Sequence, residues 1–247
     1  MNQITLEQPA CSPRFGFSIA ENAYGRYCIP DAFRKRDLPD LLCSGAVYEP
    51  RTLHFLRRAL DETGGDIVTG GAFLGDFLPA LHDRLAPDAR IHSFEPAPLT
   101  HAAACHTIIL NGLDRVTLPK VAVGAHDGIL PLQVMRREGG APLAAAARIA
   151  PGGEGSHVAM VKAMRIDDLV PAGRRVTILQ LDLEGFELEA LKGAAGLIAR
   201  NRPILVLDES RANAREAYLA HLSDAFPQIG YHAAGSTETN VILLPEG

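Results

Sequence analysis

From residue 66 onward, short apolar runs alternate with longer stretches of helical periodicity, and this alternation restricts the fold more than any other feature of the chain. The runs are DIVTG (66–70), RIHSF (90–94), VTLPKVAV (116–123), TILQLDL (177–183), PILVLD (203–208) and NVILLP (240–245). Between them lie DFLPALHDRL (76–85), PLTHAAACHTIILNG (98–112), ELEALKGAAGLIAR (187–200) and NAREAYLAHLSDA (213–225). A strand that is apolar throughout must be covered on both faces, and strands joined through helices run parallel. The pattern predicts a doubly wound, mostly parallel α/β sheet whose ligands bind beyond the carboxyl ends of its strands. GYHAAG and NVILLP predict a terminal antiparallel hairpin.

Residues 1–60 read differently, as an N-terminal extension that forms a cap or a homodimer contact, with the main domain at 61–247. Pro9, Pro13, Pro30, Pro39 and Pro50 divide it into short pieces. Only EPRTLHFLRRAL looks helical, with Leu53, Leu56 and Leu60 at helical spacing behind Pro50. Residues 136–160, RREGGAPLAAAARIAPGGEGSHVAM, predict a long loop, read either as a lid or as disorder.

Composition excludes several classes. The formal net charge is -5, and the basic clusters (Arg34-Lys35-Arg36, Arg57-Arg58, Arg136-Arg137, Arg174-Arg175) are short. Nucleic-acid binding needs a clustered basic face, so no nucleic-acid partner is expected. Cys11, Cys28, Cys43 and Cys105 contain no CxxC pair and no zinc spacing. No apolar run approaches the roughly 20 residues of a membrane span, and no signal-peptide pattern opens the chain. The expectation is a reduced, cytoplasmic protein.

Three signals point to a nucleoside site. The first run enters Gly70-Gly71-Ala72-Phe73-Leu74-Gly75, a turn where missing Cβ atoms let backbone approach a ligand. Residue 72 is alanine, so the dinucleotide fingerprint, with glycine at i, i+2 and i+5, is broken. Glu95 ends the second run about twenty residues later, where an acid accepts hydrogen bonds from ribose hydroxyls. In LQLDLEGFELEALKGA (179–194), Asp182 ends a strand with Glu184 beside it. Glu187 and Glu189 open the next helix and are explained by its dipole alone.

With these blocks in order, the chain resembles the FkbM family of S-adenosylmethionine-dependent methyltransferases. The resemblance rests on GGAFLGDF, IHSFEPAP, NGLDRVTLPKVAVGAHDG, RIDDL, LQLDLEGFELEALKGA and PILVLDE, across about residues 66–209. It implies a Rossmann-like seven-stranded sheet and methyl transfer, usually to an oxygen of a sugar, lipid-like or secondary-metabolite acceptor. By the same resemblance Gly71 and Gly75 line the methionine and ribose portion, and Glu95 holds the ribose. Asn111, Ala122 and Val123 pass the adenine, while Asp182 and Glu184 face the transferred methyl. Three residues depart from the family pattern: Thr69 stands where an acid is common, Phe73 replaces asparagine, and Gln180 stands where lysine is frequent.

A hydroxyl becomes a competent nucleophile when a base removes its proton. Asp182 or Glu184 is the expected base, with His157 of the 136–160 segment a weaker candidate. Asp182, Glu184 and Asp208 are oxygen ligands of the type Mg²⁺ takes, but they form no recognised motif and no metal is predicted. Tyr24, Arg26, Tyr27 and the 136–160 segment are the expected acceptor contacts, and a small-molecule hydroxyl is the expected partner. Two rivals remain at this level: a nicotinamide-dependent oxidoreductase, and a non-catalytic nucleoside-binding module.

Overall fold

The computed structural model of the chain describes residues 15–136, 140, 142–153 and 155–246; Pro9, Cys11, Pro13 and Arg137 lie outside them. The chain opens with a hairpin of β1 (Phe17–Asn22) and β2 (Gly25–Pro30), then α1 (Asp37–Cys43) and α2 (Pro50–Thr63). The α/β alternation follows: β3 (Asp66–Gly70), α3 (Leu78–His82), β4 (Ile91–Phe94), α4 (Pro98–Leu110) and β5 (Val116–Thr117). Next come the strands β6 (Ala122–Val123), β7 (Gly128–Gln133), β8 (Arg148–Ile149) and β9 (Val158–Met164), and the short helix α5 (Ile166–Leu169). The alternation resumes with β10 (Val176–Leu181), α6 (Glu187–Lys192), α7 (Ala195–Asn201), β11 (Ile204–Asp208) and α8 (Ala214–Ala225). A hairpin of β12 (His232–Ser236) and β13 (Asn240–Leu244) ends the fold.

The central sheet has seven strands in the order β12–β13–β11–β10–β3–β4–β5. Neighbours from β11 to β5 pair in parallel, and only the terminal hairpin runs against them, so the sheet is mixed but mostly parallel. Successive residues of a strand point to opposite faces, and the two cores follow that parity. Val68, Leu179, Leu205, Leu207 and Leu243 pack beneath α6, α7 and α8. Ile67, Ile178, Val206 and Ile242 pack beneath Leu53, Leu56 and Leu60 of α2 and Leu78 and Leu81 of α3. Every strand residue from Asp66 to Gly70 and from Val176 to Leu181 is buried, as two-sided cover requires. The chain winds from β3 toward β5 on one side and from β10 toward β13 on the other. The crevice of such a sheet lies where the winding reverses, at the carboxyl ends of β3 and β10.

Two predicted elements divide. VTLPKVAV is two strands in different sheets, because Pro119 has no N–H for a ladder and the chain turns there. ELEALKGAAGLIAR breaks after Lys192, where Gly193 packs against the Gly124 carbonyl and Asp167 accepts from the Gly196 and Leu197 amides at 2.8 and 2.6 Å. Much of the predicted 136–160 loop is ordered by a second, four-stranded sheet, β6–β9–β7–β8. The hairpin β1–β2 is docked on α4: Thr107 accepts from the Cys28 amide, and Asn111 bridges the Arg26 N–H and C=O. No helix among the described residues is long and apolar enough to cross a membrane.

Candidate functional site

The turn after β3 is held by backbone at both sides. The Ala72 amide donates to the Phe94 carbonyl at 3.1 Å, and the Asp182 amide donates to the Gly70 carbonyl at 3.2 Å. Gly71 (φ +84°) lies against the Asp182 carbonyl, where a Cβ would collide, so glycine is required for the ends of β3 and β10 to meet. Glu95 clamps the turn from β4: one carboxylate oxygen accepts from the Phe73 amide at 2.9 Å, the other from the Ala97 amide at 2.9 Å. Phe73, with φ +46°, is left-handed without being glycine. Two further left-handed non-glycine residues, Ala144 (φ +51°) and Glu184 (φ +55°), border the same cavity. Such backbone costs on the order of 1–3 kcal/mol per residue and concentrates where a site demands it.

The cavity measures about 1060 Å³ including its open mouth. Gly71, Glu95, Ala122, Val123, Asp182 and Glu184 all line it. Gly75 and Asn111 do not. Gly75 (φ +78°) turns the chain against Leu78 and Thr107, and the Asn111 side chain is engaged by Arg26. His157, Tyr24, Arg26 and Tyr27 also lie outside the lining; Tyr27 is buried with its hydroxyl on Asn22. The N-terminal segment contributes other residues instead, Leu38 and Tyr48, and the stretch after β7 contributes Ala144, Ala145, Ala147, Arg148 and Ile149. The second group falls in the 136–160 segment expected to meet an acceptor, whereas Leu38 and Tyr48 carried no local signal, since docking of the extension places them.

The departures at 69, 73 and 180 find their reasons here. Thr69 and Gln180 are register partners on adjacent strands, and the Thr69 hydroxyl donates to the Gln180 side-chain oxygen. An acid and a lysine at these two positions would form an ion pair; here a neutral hydrogen-bonded pair takes its place. Phe73 turns its ring onto Phe33 of the extension, centroids 6.0 Å apart, and joins a core cluster with Leu38, Leu42 and Ala144. Extension, cofactor-type turn and the stretch before β8 thus share one small core.

The electrostatics are acidic. Burial pushes the Glu95 carboxyl up to about 7 despite its two amide donors. Burial, with Glu49 and Glu95 nearby, raises Asp76 to about 7 as well. Asp182 is raised well above the usual carboxylate range, first by burial and then by Asp208, Glu49, Glu184 and Glu187. Glu184 is raised by burial, Asp208 and Glu187, with Arg211 and Arg148 pulling it back. One carboxylate oxygen each of Asp182, Glu187 and Asp208 lie within 4.8 Å of one another. Glu187 holds the Leu183 and Gly185 amides and the Tyr218 hydroxyl, at 2.7, 3.1 and 3.3 Å, and Asp208 holds Ser210. Glu187 builds the turn after β10 and Asp208 the turn after β11; Asp182 is left facing the cavity. Glu189 pairs with Lys192 on the surface.

Residues 70–233, well over half of the chain, match the family model of the methyltransferase FkbM domain. No curated protein matches the chain. Among solved structures, the methyltransferase FkbM from Methylobacillus flagellatus KT is similar over 85% of this chain and 52% of its own, with a TM-score of 0.53 and 18% identity. The chain thus spans about half the length of that relative. An O-methyltransferase from Bacillus cereus, in complex with SAH, is similar over 81% of this chain and 82% of its own, with a TM-score of 0.50 and 14% identity. At such identities the likeness is one of fold. The family match adds what the fold alone does not: the chain belongs to the methyltransferase FkbM domain family.

Proposed function

We propose that the protein is an S-adenosylmethionine-dependent methyltransferase acting on a hydroxyl of a small molecule, of the sugar or secondary-metabolite kind. The observation that carries this reading is the convergence of Gly71, Glu95 and Asp182 on one cavity where the winding of the sheet reverses. The residues suit the donor. Gly71 brings the ends of β3 and β10 together at the cavity, Glu95 offers carboxylate oxygens to ribose hydroxyls, and Ala122 and Val123 give an apolar wall for adenine. The acids around Asp182 complement a positive sulfonium.

When bound, the donor supplies an electrophilic methyl. The chain's own part is alignment and proton removal. Alignment of an acceptor oxygen within the cavity supplies much of the acceleration of a displacement reaction. Asp182, whose carboxyl burial raises well above the usual carboxylate range, is a stronger base than an exposed aspartate, and Glu184 is the second carboxylate lining the same cavity. The family assignment displaces the nicotinamide-dependent alternative. The non-catalytic alternative is separated by turnover.

Calorimetric titration with S-adenosylmethionine and with NAD tests the cofactor, and radiolabelled methyl transfer to a panel of hydroxylated acceptors tests the activity. Asp182→Asn is expected to keep donor binding within a few-fold and to lower turnover by roughly 100-fold or more, the range of general-base catalysis. Unchanged turnover would remove Asp182 from its role, and NAD binding without donor binding would overturn the reading as a whole.

A further inference from the structure

We propose that Arg148 selects an acceptor bearing a carboxylate, so that the substrate is a hydroxylated monoanion rather than a neutral alcohol; this rests on the methyltransferase reading above. Among the described residues the lining of the cavity carries four acids, Asp76, Glu95, Asp182 and Glu184, against one cation, Arg148. An acid-lined cavity repels an anion unless a cation is built into the wall the anion meets. Arg148 stands on β8, in the stretch between β7 and β9 that contributes to the cavity wall. Its charge acts on Glu184, yet its side chain makes no ion pair or hydrogen bond among the described residues and is exposed. Arg211, the arginine beside the same acids, is committed to the Glu184 carbonyl. Arg148 is the arginine of the described lining, and its guanidinium is available to a ligand.

The neighbourhood sets the ligand's chemistry. A planar guanidinium matches a carboxylate bidentately. A phosphate dianion beside Glu184 would be only half neutralised by a single arginine, which favours the monoanion. Around Arg148 the wall is small and apolar, Ala144, Ala145, Ala147 and Ile149, with Phe186 also lining the cavity. An apolar or aromatic body therefore fits between the anionic group at Arg148 and the hydroxyl at Asp182.

The test is titration of the full chain with 4-hydroxybenzoate and with 4-hydroxybenzamide, which differ only in the charged group, with and without S-adenosylhomocysteine. The benzoate is expected to bind roughly 10- to 100-fold more tightly, the range of a charge-assisted pair. Arg148→Met should bring the benzoate to the level of the amide, and Arg148→Lys should recover part of the difference. S-adenosylhomocysteine affinity should stay within about twofold in both variants, because Arg148 stands on β8 and not on the glycine turn. Equal affinities for the two probes in the unaltered protein, or no binding of either, would overturn the proposal. So would an Arg148→Met variant that weakens S-adenosylhomocysteine while leaving the benzoate preference intact. Failure of S-adenosylhomocysteine to bind at all falls on the cofactor reading, whereas the probe ratio without it still decides the role of Arg148.

Discussion

Glu95 does two things with one carboxylate: each oxygen receives a backbone amide, and the group lines the cavity. Glutamine at this position is nearly isosteric but brings an NH₂ that must face one of those two N–H donors. Glu95→Gln is therefore expected to loosen the turn and weaken S-adenosylmethionine binding by roughly 10- to 100-fold, since hydrogen bonds to charged groups contribute about 1.5–3 kcal/mol. Calorimetry measures it, and an affinity within twofold of the unaltered protein would deny Glu95 a ligand role. Titration adds a sign. The Glu95 and Asp76 carboxyls ionise near 7, both raised by burial, so the cavity gains negative charge as pH rises through 7. Affinity for the cationic donor should rise from pH 6 to pH 8, while affinity for the neutral-sulfur product S-adenosylhomocysteine should change less. A donor affinity flat across that window would detach these two acids from binding.

Glycine positions show how elements meet. Gly71 combines a left-handed backbone with a Cβ position occupied by the Asp182 carbonyl, so alanine there must separate β3 from β10. Gly75 is equally left-handed, but a Cβ would meet Leu78 Cδ1 at 3.2 Å, the movable end of a side chain. Gly71→Ala is expected to abolish donor binding and lower the melting temperature sharply. Gly75→Ala should cost about 1–2 kcal/mol of backbone strain and keep binding within a few-fold. Equal effects of the two in calorimetry and thermal melts would count against the assigned contact. Legibility in the sequence followed the same division. The strands of the central sheet and the acids at their ends were readable, because burial on both faces writes continuous apolar runs and the site sits at run ends. Asn111 and Gly75 stand outside the cavity lining, and family position does not show that the Asn111 side chain turns to Arg26 of the hairpin. Tyr48 was not readable, since it reaches the cavity through docking of the extension, and Arg148 was read only as part of the 136–160 segment, not as an individual residue. The second sheet was missed because β7 and β9 alternate weakly and flank a glycine- and alanine-rich stretch that reads as a loop.

At the scale of the whole molecule, the two ends of the central sheet respond to pH in opposite senses. At the amino ends of the strands, Asp66 is buried between His92, at 2.9 Å, and Arg174. Burial would raise its carboxyl, but the hydrogen bonds from Arg174, His92 and the Arg90 amide outweigh it and hold it at about 2. A carboxyl lowered by folding stabilises above its unfolded pKa near 4 and ceases to do so as pH falls from 4 toward 2. At the carboxyl ends, Asp76 and Glu95 are raised to about 7, so between roughly pH 4 and 7 the native state retains protons that the unfolded chain has released. There stability declines with rising pH, and the full penalty is present above 7. The ligand-free protein is thus expected to melt at its highest temperature near pH 4, already lower at pH 5, and several degrees lower at pH 8. Asp76→Asn should flatten that decline, raising the melting temperature more at pH 8 than at pH 5, whereas Asp66→Asn should lower it at every pH above 4 and leave the slope alone. Saturating S-adenosylmethionine, which binds the native state and supplies the missing positive charge, should raise the melting temperature more at pH 8 than at pH 5. Scanning calorimetry at pH 5, 6, 7 and 8 with and without the donor measures all of this. A ligand-free melting temperature that does not fall from pH 5 to 8, or a donor-induced shift equal at both ends, would mean that the acids of the cavity are not held uncharged by the fold, and that the same strand ends do not trade stability for affinity to a cation.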